Sequence, residues 1–245
     1  MATAILLAVG LSYFIPKKVT VCLLILIYWM PKFLLYNTIE SIYPEIQTRV
    51  KDLSVTDKQV ALTFDDLPYG SHIDLINTLD KYNIKATFFV ISGDFYDRSA
   101  FVAAVKNGHQ LGNHGKVNQI HALLSVTELE HEFDHCDQLI KSIYSEADVP
   151  LPKRMVYRPG SGLPTTSMLE MVKEKNYTLS LGSVYPSDPI VPSGLVNYYY
   201  VINHIENGDV IILHDRRWTS PMLELLLPWM KQNNYLSVTL DELFD

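Results

Sequence analysis

Short apolar runs alternate with amphipathic segments along most of this 245-residue chain, and this alternation limits its fold more than any other feature. The composition of the runs predicts strands at residues 59–64, 85–92, 109–114, 155–160, 178–184, 208–215 and 235–240. Between them, the spacing of apolar residues predicts helices at residues 73–82, 95–106, 125–144, 165–175, 196–206 and 220–232. Strands that alternate with helices of this length predict a parallel sheet with crossover helices, and about seven such units favour an α/β barrel.

The first 36 residues form a separate, strongly apolar segment. Two apolar runs flank Lys17 and Lys18, and neither run alone reaches the roughly 20 residues that span a bilayer. We predict a membrane anchor or signal-anchor helix at residues 1–36; a cleaved signal peptide, an arm packed on the domain and two antiparallel helices are the alternatives. The lysines favour a cytoplasmic N-terminal side, which places the remainder in the lumen or outside the cell, on the secretory pathway. A polar connector at residues 37–57 then leads to one catalytic domain at residues 58–245.

Charge and cysteine content exclude several classes of protein. The formal net charge is −7 without the clustered lysine and arginine of a nucleic-acid interface, so we expect no nucleic-acid partner. Cys22 and Cys136 form neither a disulfide framework nor a CxxC metal motif. The chain also lacks the glycine-rich phosphate motifs of nucleotide-binding open sheets, which favours the barrel.

Polar residues stand at the carboxyl ends of the predicted strands: Asp65, Asp66, His114, Arg158 and His214. In a parallel barrel these strand ends meet on one face, so their convergence predicts a catalytic site. Two adjacent carboxylates repel each other unless a metal ion or an arginine compensates them. A histidine with a pKa of about 6.5 suits general acid or base catalysis.

Two histidines in residues 111–125 suggest a metal site with unusual spacing. Metal ligands on one helical turn are usually four residues apart, because only those positions share a face. His114 and His121 are seven residues apart, and Asn118 occupies the position four residues after His114. The spacing alone leaves a metal site, a modified metal site and no site as alternatives.

Four motifs, taken in order, resemble those of the polysaccharide deacetylases, carbohydrate esterase family 4. They lie at residues 62–66 (LTFDD), 111–114 (LGNH), 157–162 (YRPGSG) and 211–215 (IILHD). The resemblance extends over residues 58–245. It implies an α/β fold, the distorted (β/α)7 barrel of that family, here preceded by the N-terminal apolar helix. It also implies metal-dependent hydrolysis of N-acetyl groups on sugars.

The resemblance assigns roles to individual residues. It implies three catalytic residues: the base Asp65, the arginine that orients it, Arg158, and the general acid His214. It implies the metal ligands Asp66, His114 and Asn118. It implies that substrate is contacted by a backbone N–H near Gly160 and by Leu213 in an acetyl pocket, while Asp188 orients the acid. Among the aromatic residues, Tyr185 is a candidate to stack on a sugar ring.

The second motif departs from the family pattern, which has a second histidine four residues after the first. When the motif is aligned without a gap to the helix that starts near Ser125, Asn118 falls at that position. Gly115 replaces the usual serine or threonine. An amide oxygen binds zinc less well than an imidazole, so we expect weaker binding or a harder ion. His121 is the alternative third ligand. The resemblance implies a divalent metal cofactor, zinc, with cobalt or manganese as alternatives.

We therefore predict a metal-dependent hydrolase that removes N-acetyl or O-acyl groups from an amino-sugar polymer or glycoconjugate. The main alternative is an inactive family member that binds glycans or proteins. A glycosidase with two carboxylates is a second alternative, and a deacylase of an ester, a glycolipid or a non-sugar amide within the same family is a third. The expected partners are an acetylated carbohydrate and, through residues 1–36, a membrane, and we expect a monomer. Arg216 and Arg217, after the fourth motif, are candidates to meet an anionic substrate.

Overall fold

The protein is described here by a computed structural model that covers residues 37–51, 53, 58–93 and 95–245. The predicted membrane anchor at residues 1–36 lies outside the described residues. Within the described ranges, none of the helices combines the length and the apolar character that crossing a bilayer requires.

Seven strands form one parallel sheet, flanked by helices. The strands are β1 (Lys58–Leu67), β2 (Thr87–Val90), β3 (Gln110–Asn113), β4 (Met155–Tyr157), β5 (Tyr177–Leu179), β6 (Val210–His214) and β7 (Tyr235–Ser237). Their order is β5-β4-β3-β2-β1-β6, and β7 pairs with the first residues of β1. The sheet makes a half-barrel, which confirms the predicted (β/α)7-type fold.

The helices occupy the predicted crossovers, with two short additions at the ends of the described chain. They are α1 (Asn37–Ile42), α2 (His72–Lys81), α3 (Arg98–Lys106), α4 (Val126–Ala147), α5 (Thr166–Glu174), α6 (Gly194–His204), α7 (Thr219–Gln232) and α8 (Leu240–Leu243). The short helices α1 and α8 were not predicted. Helix α4 begins as expected, because Ser125 and Glu128 form a capping box that satisfies backbone N–H groups of its first turn.

Alternate strand residues face two separate apolar clusters. The outer cluster lies between the sheet and the helices and includes Phe64, Phe88 and Leu213. The inner cluster consists of Ala61, Phe89, Val156, Val210, Leu240 and Leu243. Two of its members belong to α8, so this helix closes the barrel at the end where the strands start. The carboxyl ends of the strands are left for the polar residues of the site.

The segment assigned to a polar connector is, where described, packed against the barrel. Gln47 bridges to Ser180, just after β5, and Arg49 bridges to Asp209, just before β6. Ile46 is 3% exposed and belongs to the outer cluster. Gln47 therefore hydrogen-bonds to the end of β5 and Val50 to Gly208, two residues before β6, and the folded unit includes residues before position 58.

Replacing Ile46 with Ala should lower the free energy of unfolding by about 2–5 kcal/mol, because the substitution leaves a cavity in the outer cluster. Urea denaturation of the whole chain measures this change. The matched control is Ile42→Ala on α1, where the side chain is 61% exposed, and its effect should stay within about 0.5 kcal/mol. Small and equal losses for both variants would show that residues 46–50 are not part of the core.

Candidate active site

The predicted site residues converge at the carboxyl ends of the strands. Asp65 lies on β1 and is the register partner of His214 on β6. His114 directly follows β3, and Arg158 directly follows β4. All four are at or just beyond strand ends, so the parallel topology brings their side chains to one face.

Arg158 holds Asp65 in place from inside the barrel. Its guanidinium donates to Asp65 Oδ1 at 2.6 Å and to Thr63 Oγ1 at 2.8 Å. It also donates to the backbone oxygens of Ser180 at 3.0 Å and Leu181 at 3.2 Å. A guanidinium with this many fixed acceptors cannot rotate away. The Asp65 carboxylate therefore has one orientation and a permanent positive charge beside it.

Asp66 reaches the same site although adjacent strand residues normally point to opposite faces. Its φ is +65°, a left-handed conformation that aspartate tolerates better than most residues, and this turns the chain after Asp65. Asp66 Oδ1 accepts from Asn118 Nδ2 at 2.9 Å, and Oδ2 accepts from Arg216 Nη2 at 2.6 Å. Burial alone would raise its pKa, but the interactions with His114, the charge of His214 and the hydrogen bond from Arg216 hold the pKa of Asp66 well below its usual range.

His114 is oriented as histidine ligands of metals usually are. Its Nδ1 lies 2.7 Å from the backbone oxygen of Arg158, which can only accept, so Nδ1 carries a proton. Nε2 faces Asp66 and lies 3.6 Å from Oδ1. Two atoms that bind one zinc ion at about 2.0–2.2 Å each are within roughly 4 Å of each other, so this pair fits a shared ion.

Asn118 is the third residue that fits a divalent ion. It is exposed on the loop after β3, and its amide nitrogen now faces Asp66. Rotation of the amide by half a turn would present its oxygen instead. Within the described ranges there is no group of three or more His, Cys, Asp or Glu side chains placed to hold a metal. The available donor set is therefore one carboxylate, one imidazole and one amide.

His121 is a buried structural residue. Its Nε2 donates to the Val117 backbone oxygen at 3.3 Å, and its Nδ1 accepts from the Tyr157 hydroxyl at 2.8 Å and from Gly160 N–H at 3.1 Å. Burial, assisted by the charge of His114, lowers the pKa of His121 to about 4. Both ring nitrogens are occupied, so the described arrangement does not support His121 as the third metal ligand.

Two glycines make room for the His121 ring and for the backbone just before it. Gly115 has a φ of +80°, and a β-carbon there would lie 2.5 Å from His121 Cε1. A β-carbon on Gly160 would lie 2.1 Å from the Gln119 backbone oxygen. The glycine that replaces the family's serine or threonine thus permits the imidazole to pack against the backbone. The N–H near Gly160 was predicted to contact substrate; in the structure, the Gly160 N–H donates to His121 instead.

Asp188 orients His214. The carboxylate accepts from His214 Nδ1 at 2.9 Å and from its backbone N–H at 2.8 Å, while Trp218 Nε1 donates to the Asp188 backbone oxygen at 3.1 Å. Burial alone would lower the pKa of His214, but the negative charge of Asp188, with smaller contributions from Asp65 and Asp66, raises it above its usual value. His214 therefore favours the protonated form, which a general acid needs.

Of two residues predicted to contact substrate, Tyr185 borders the site and Leu213 does not. The ring of Tyr185 is partly buried, with its centroid 5.8 Å from that of His214, so it borders the site. Leu213 is fully buried in the outer cluster, because alternation along β6 points it away from the face of His214. Ile212 shares that face and is partly accessible. The apolar neighbour of the acid on β6 is therefore Ile212 and not Leu213.

Two residues after His214 have roles that sequence reasoning did not assign. Asp215 accepts from the backbone N–H groups of Tyr69, Gly70 and Ser71 at 2.6, 3.1 and 3.0 Å, which fixes the loop after β1. Arg216, expected to face an anionic substrate, pairs with Asp66 instead. The sequence shows only that an arginine follows the fourth motif, and the structure identifies its partner.

Comparison with known proteins identifies relatives of this chain. The family model described as polysaccharide deacetylase matches residues 52–180. A peptidoglycan-N-acetylglucosamine deacetylase of Bacillus cereus is 32% identical over 199 residues, which cover 76% of this chain and 88% of that protein. A bifunctional xylanase/deacetylase of Pseudobutyrivibrio xylanivorans is 26% identical over 193 residues, which cover 77% of this chain but 31% of the larger protein.

One solved structure shows the shared fold directly. Peptidoglycan deacetylase PdaC from Bacillus subtilis superposes with a TM-score of 0.69, over 77% of this chain and 91% of that chain, at 24% sequence identity. At this level of identity the likeness shows a common architecture, and roles of individual residues have to be argued from their contacts.

Replacing Gly115 with Ala should cost about 2–4 kcal/mol of unfolding free energy, because the new β-carbon combines a left-handed backbone with overlap of the His121 ring. The matched control is Gly162→Ala, where φ is also positive (+66°) but nothing lies within 4 Å of the added atom. It should cost only about 1–2 kcal/mol. Chemical denaturation of both variants measures the difference, and equal losses would show that the imidazole moves aside at no cost.

Proposed function

This chain belongs to the polysaccharide deacetylase family, and on that premise we propose that it hydrolyses the N-acetyl amide of an amino-sugar polymer or glycoconjugate. One observation carries the proposal: two charged pairs, Asp65 with Arg158 and His214 with Asp188, meet at one site, with Asp65 and His214 on the neighbouring strands β1 and β6. Because Asp65 and His214 are register partners, a base and an acid are available on the same side of the sheet.

Asp65 acts as the general base in this proposal. Arg158 holds its Oδ1 and leaves the other carboxylate oxygen to take a proton from the attacking water. The water oxygen bonds to the acetyl carbon as that proton leaves. The buried guanidinium fixes the direction of Asp65, so the base is positioned before substrate arrives.

His214 acts as the general acid. Its Nδ1 proton is directed at Asp188, which leaves Nε2 to face the substrate. From Nε2 the imidazolium gives a proton to the amide nitrogen as the carbon–nitrogen bond breaks. The products are acetate and a free amino group. Asp65 then releases the proton it took from water, and His214 regains a proton from solvent.

We propose that Asp66, His114 and Asn118 hold a divalent ion, zinc or alternatively cobalt or manganese. When bound, such an ion supplies Lewis-acid chemistry to the carbonyl and to water. The support is the orientation of His114, whose Nε2 faces Asp66, and the position of Asn118 beside the same carboxylate oxygen.

The proposed substrate, an acetylated amino sugar, is supported by the aromatic ring beside His214 and by the names of relatives. Tyr185 offers a ring face next to His214, a surface on which sugars commonly pack. The Bacillus cereus relative is named for N-acetylglucosamine in peptidoglycan, which favours this amino sugar over O-acylated substrates.

From sequence alone we further propose that the chain is a monomer held at a membrane by residues 1–36, with its domain in the lumen or outside the cell.

Asp65→Asn should abolish acetate release from acetylated glucosamine oligomers, and His214→Ala should reduce the rate by about 10² or more, because each removes a proton-transfer group. The matched control Asp74→Asn changes an exposed aspartate on α2 and should leave the rate unchanged. Circular dichroism and unfolding curves would check that the variants are folded. Turnover by folded Asp65→Asn at the natural rate would remove this residue as the base.

The pH dependence of turnover tests the Asp188–His214 pair. His214 must be protonated to act, so the rate falls as pH rises through its pKa, which Asp188 holds above the usual value. In Asp188→Asn the raising charge is gone and burial favours the neutral imidazole, so the alkaline limb of the pH–rate profile should move to lower pH by about one unit. Asp74→Asn again serves as control. A profile that only drops in height, without a shift, would contradict the assignment.

A further inference from the structure

Arg216 is a fixed cation inside the site. Its Nη2 lies 2.6 Å from Asp66 Oδ2, and its Nη1 donates to the Asp215 backbone oxygen at 2.9 Å. The guanidinium carbon stands 4.0 Å from the centre of the Tyr69 ring. The side chain is 13% exposed. An ion pair, a backbone hydrogen bond and an aromatic face thus hold the guanidinium against Asp66 from three directions.

The charges of the site are balanced by groups of the chain. Asp65 pairs with Arg158, Asp188 pairs with His214, and Asp66 pairs with Arg216. A divalent ion that approaches Asp66 therefore meets a carboxylate that already has a positive partner. Asn118 adds no negative charge to offset that partner. A guanidinium also stays protonated at every accessible pH, so its charge is always present.

We infer that Arg216 competes with the divalent ion for Asp66 and thereby sets the metal affinity of the site. The inference rests on the proposed function, which assigns Asp66 to the ion. Without an ion, Arg216 keeps the Asp66 carboxylate paired, and the site keeps its shape. With an ion, the positive charge of Arg216 repels it across a few ångströms of partly buried protein, which weakens binding.

The test compares cobalt(II) affinity of the natural chain with that of Arg216→Gln, measured on the full-length protein by visible absorption and by calorimetry. Glutamine keeps a hydrogen-bond donor near Asp66 but removes the charge. We expect Arg216→Gln to bind cobalt(II) at least tenfold more tightly. The matched control Arg217→Gln removes the same charge one residue away, where the guanidinium lies 5.8 Å from the centre of the Trp218 ring, and should change the affinity less than twofold.

A third variant, Arg216→Lys, controls for misfolding and for a purely structural effect of changing the side chain. Arg216→Lys keeps the charge, so its affinity should stay closer to that of the natural chain than to that of Arg216→Gln. Equal or weaker binding by Arg216→Gln would overturn the inference, because Arg216 would then support the ligand instead of competing with the ion. Absence of binding to both proteins would overturn it too. Affinity is read without turnover, so a failure of the proposed deacetylation would be seen separately, in the acetate assay.

Discussion

Arg158 carries a guanidinium in a side chain that is 1% exposed, and a charge so deeply buried is tolerated only where it is paired and hydrogen-bonded. Its side chain connects β1, through Asp65 and Thr63, to the segment that follows β5, through backbone oxygens. Its own backbone oxygen accepts the Nδ1 proton of His114. One residue therefore orients the proposed base by its side chain and the proposed metal ligand by its main chain, so neither can move independently of the other.

The loop after β3 has a second level of support, built around His121. Glu132 on α4 accepts the N–H groups of Lys116 and Val117 at 2.9 and 2.7 Å, while the His121 ring binds Gly160 from the other side. The capping box fixes where α4 starts and therefore where Glu132 stands. The loop that carries Asn118, the proposed third ligand, is thus held at both ends by contacts unrelated to metal binding, so its shape does not depend on a bound ion.

The sequence predicted the sheet, the crossover helices and the convergence of the strand-end residues, because all three follow from local periodicity and parallel topology. Among contacts between distant segments, it anticipated only those that the family resemblance implied, Asp65 with Arg158 and Asp188 with His214. The pairing of residues 47–50 with the end of β5 and with the residues just before β6, and the burial of His121, depend on three-dimensional closeness that periodicity does not encode. Leu213 was misplaced for a simpler reason, since alternation along β6 assigns the face of His214 to Ile212. Arg216 was noticed, but its partner could be identified only once the loops after β1 and β6 were seen together.

Each of three aspartates in the site has a positive partner, and the kind of partner distinguishes their roles. Asp65 is next to a permanent cation that is buried, and the hydrogen bond from that cation fixes its orientation. Asp188 is next to a histidine, a partner that can lose its proton, and so this pair can release a proton where the arginine pairs cannot. Asp66 has Arg216, a permanent cation that reaches it from a loop and is partly accessible. Of the three pairs, only the last presents a carboxylate that an incoming ion can share or take over, and this is the residue the family pattern assigns to metal binding.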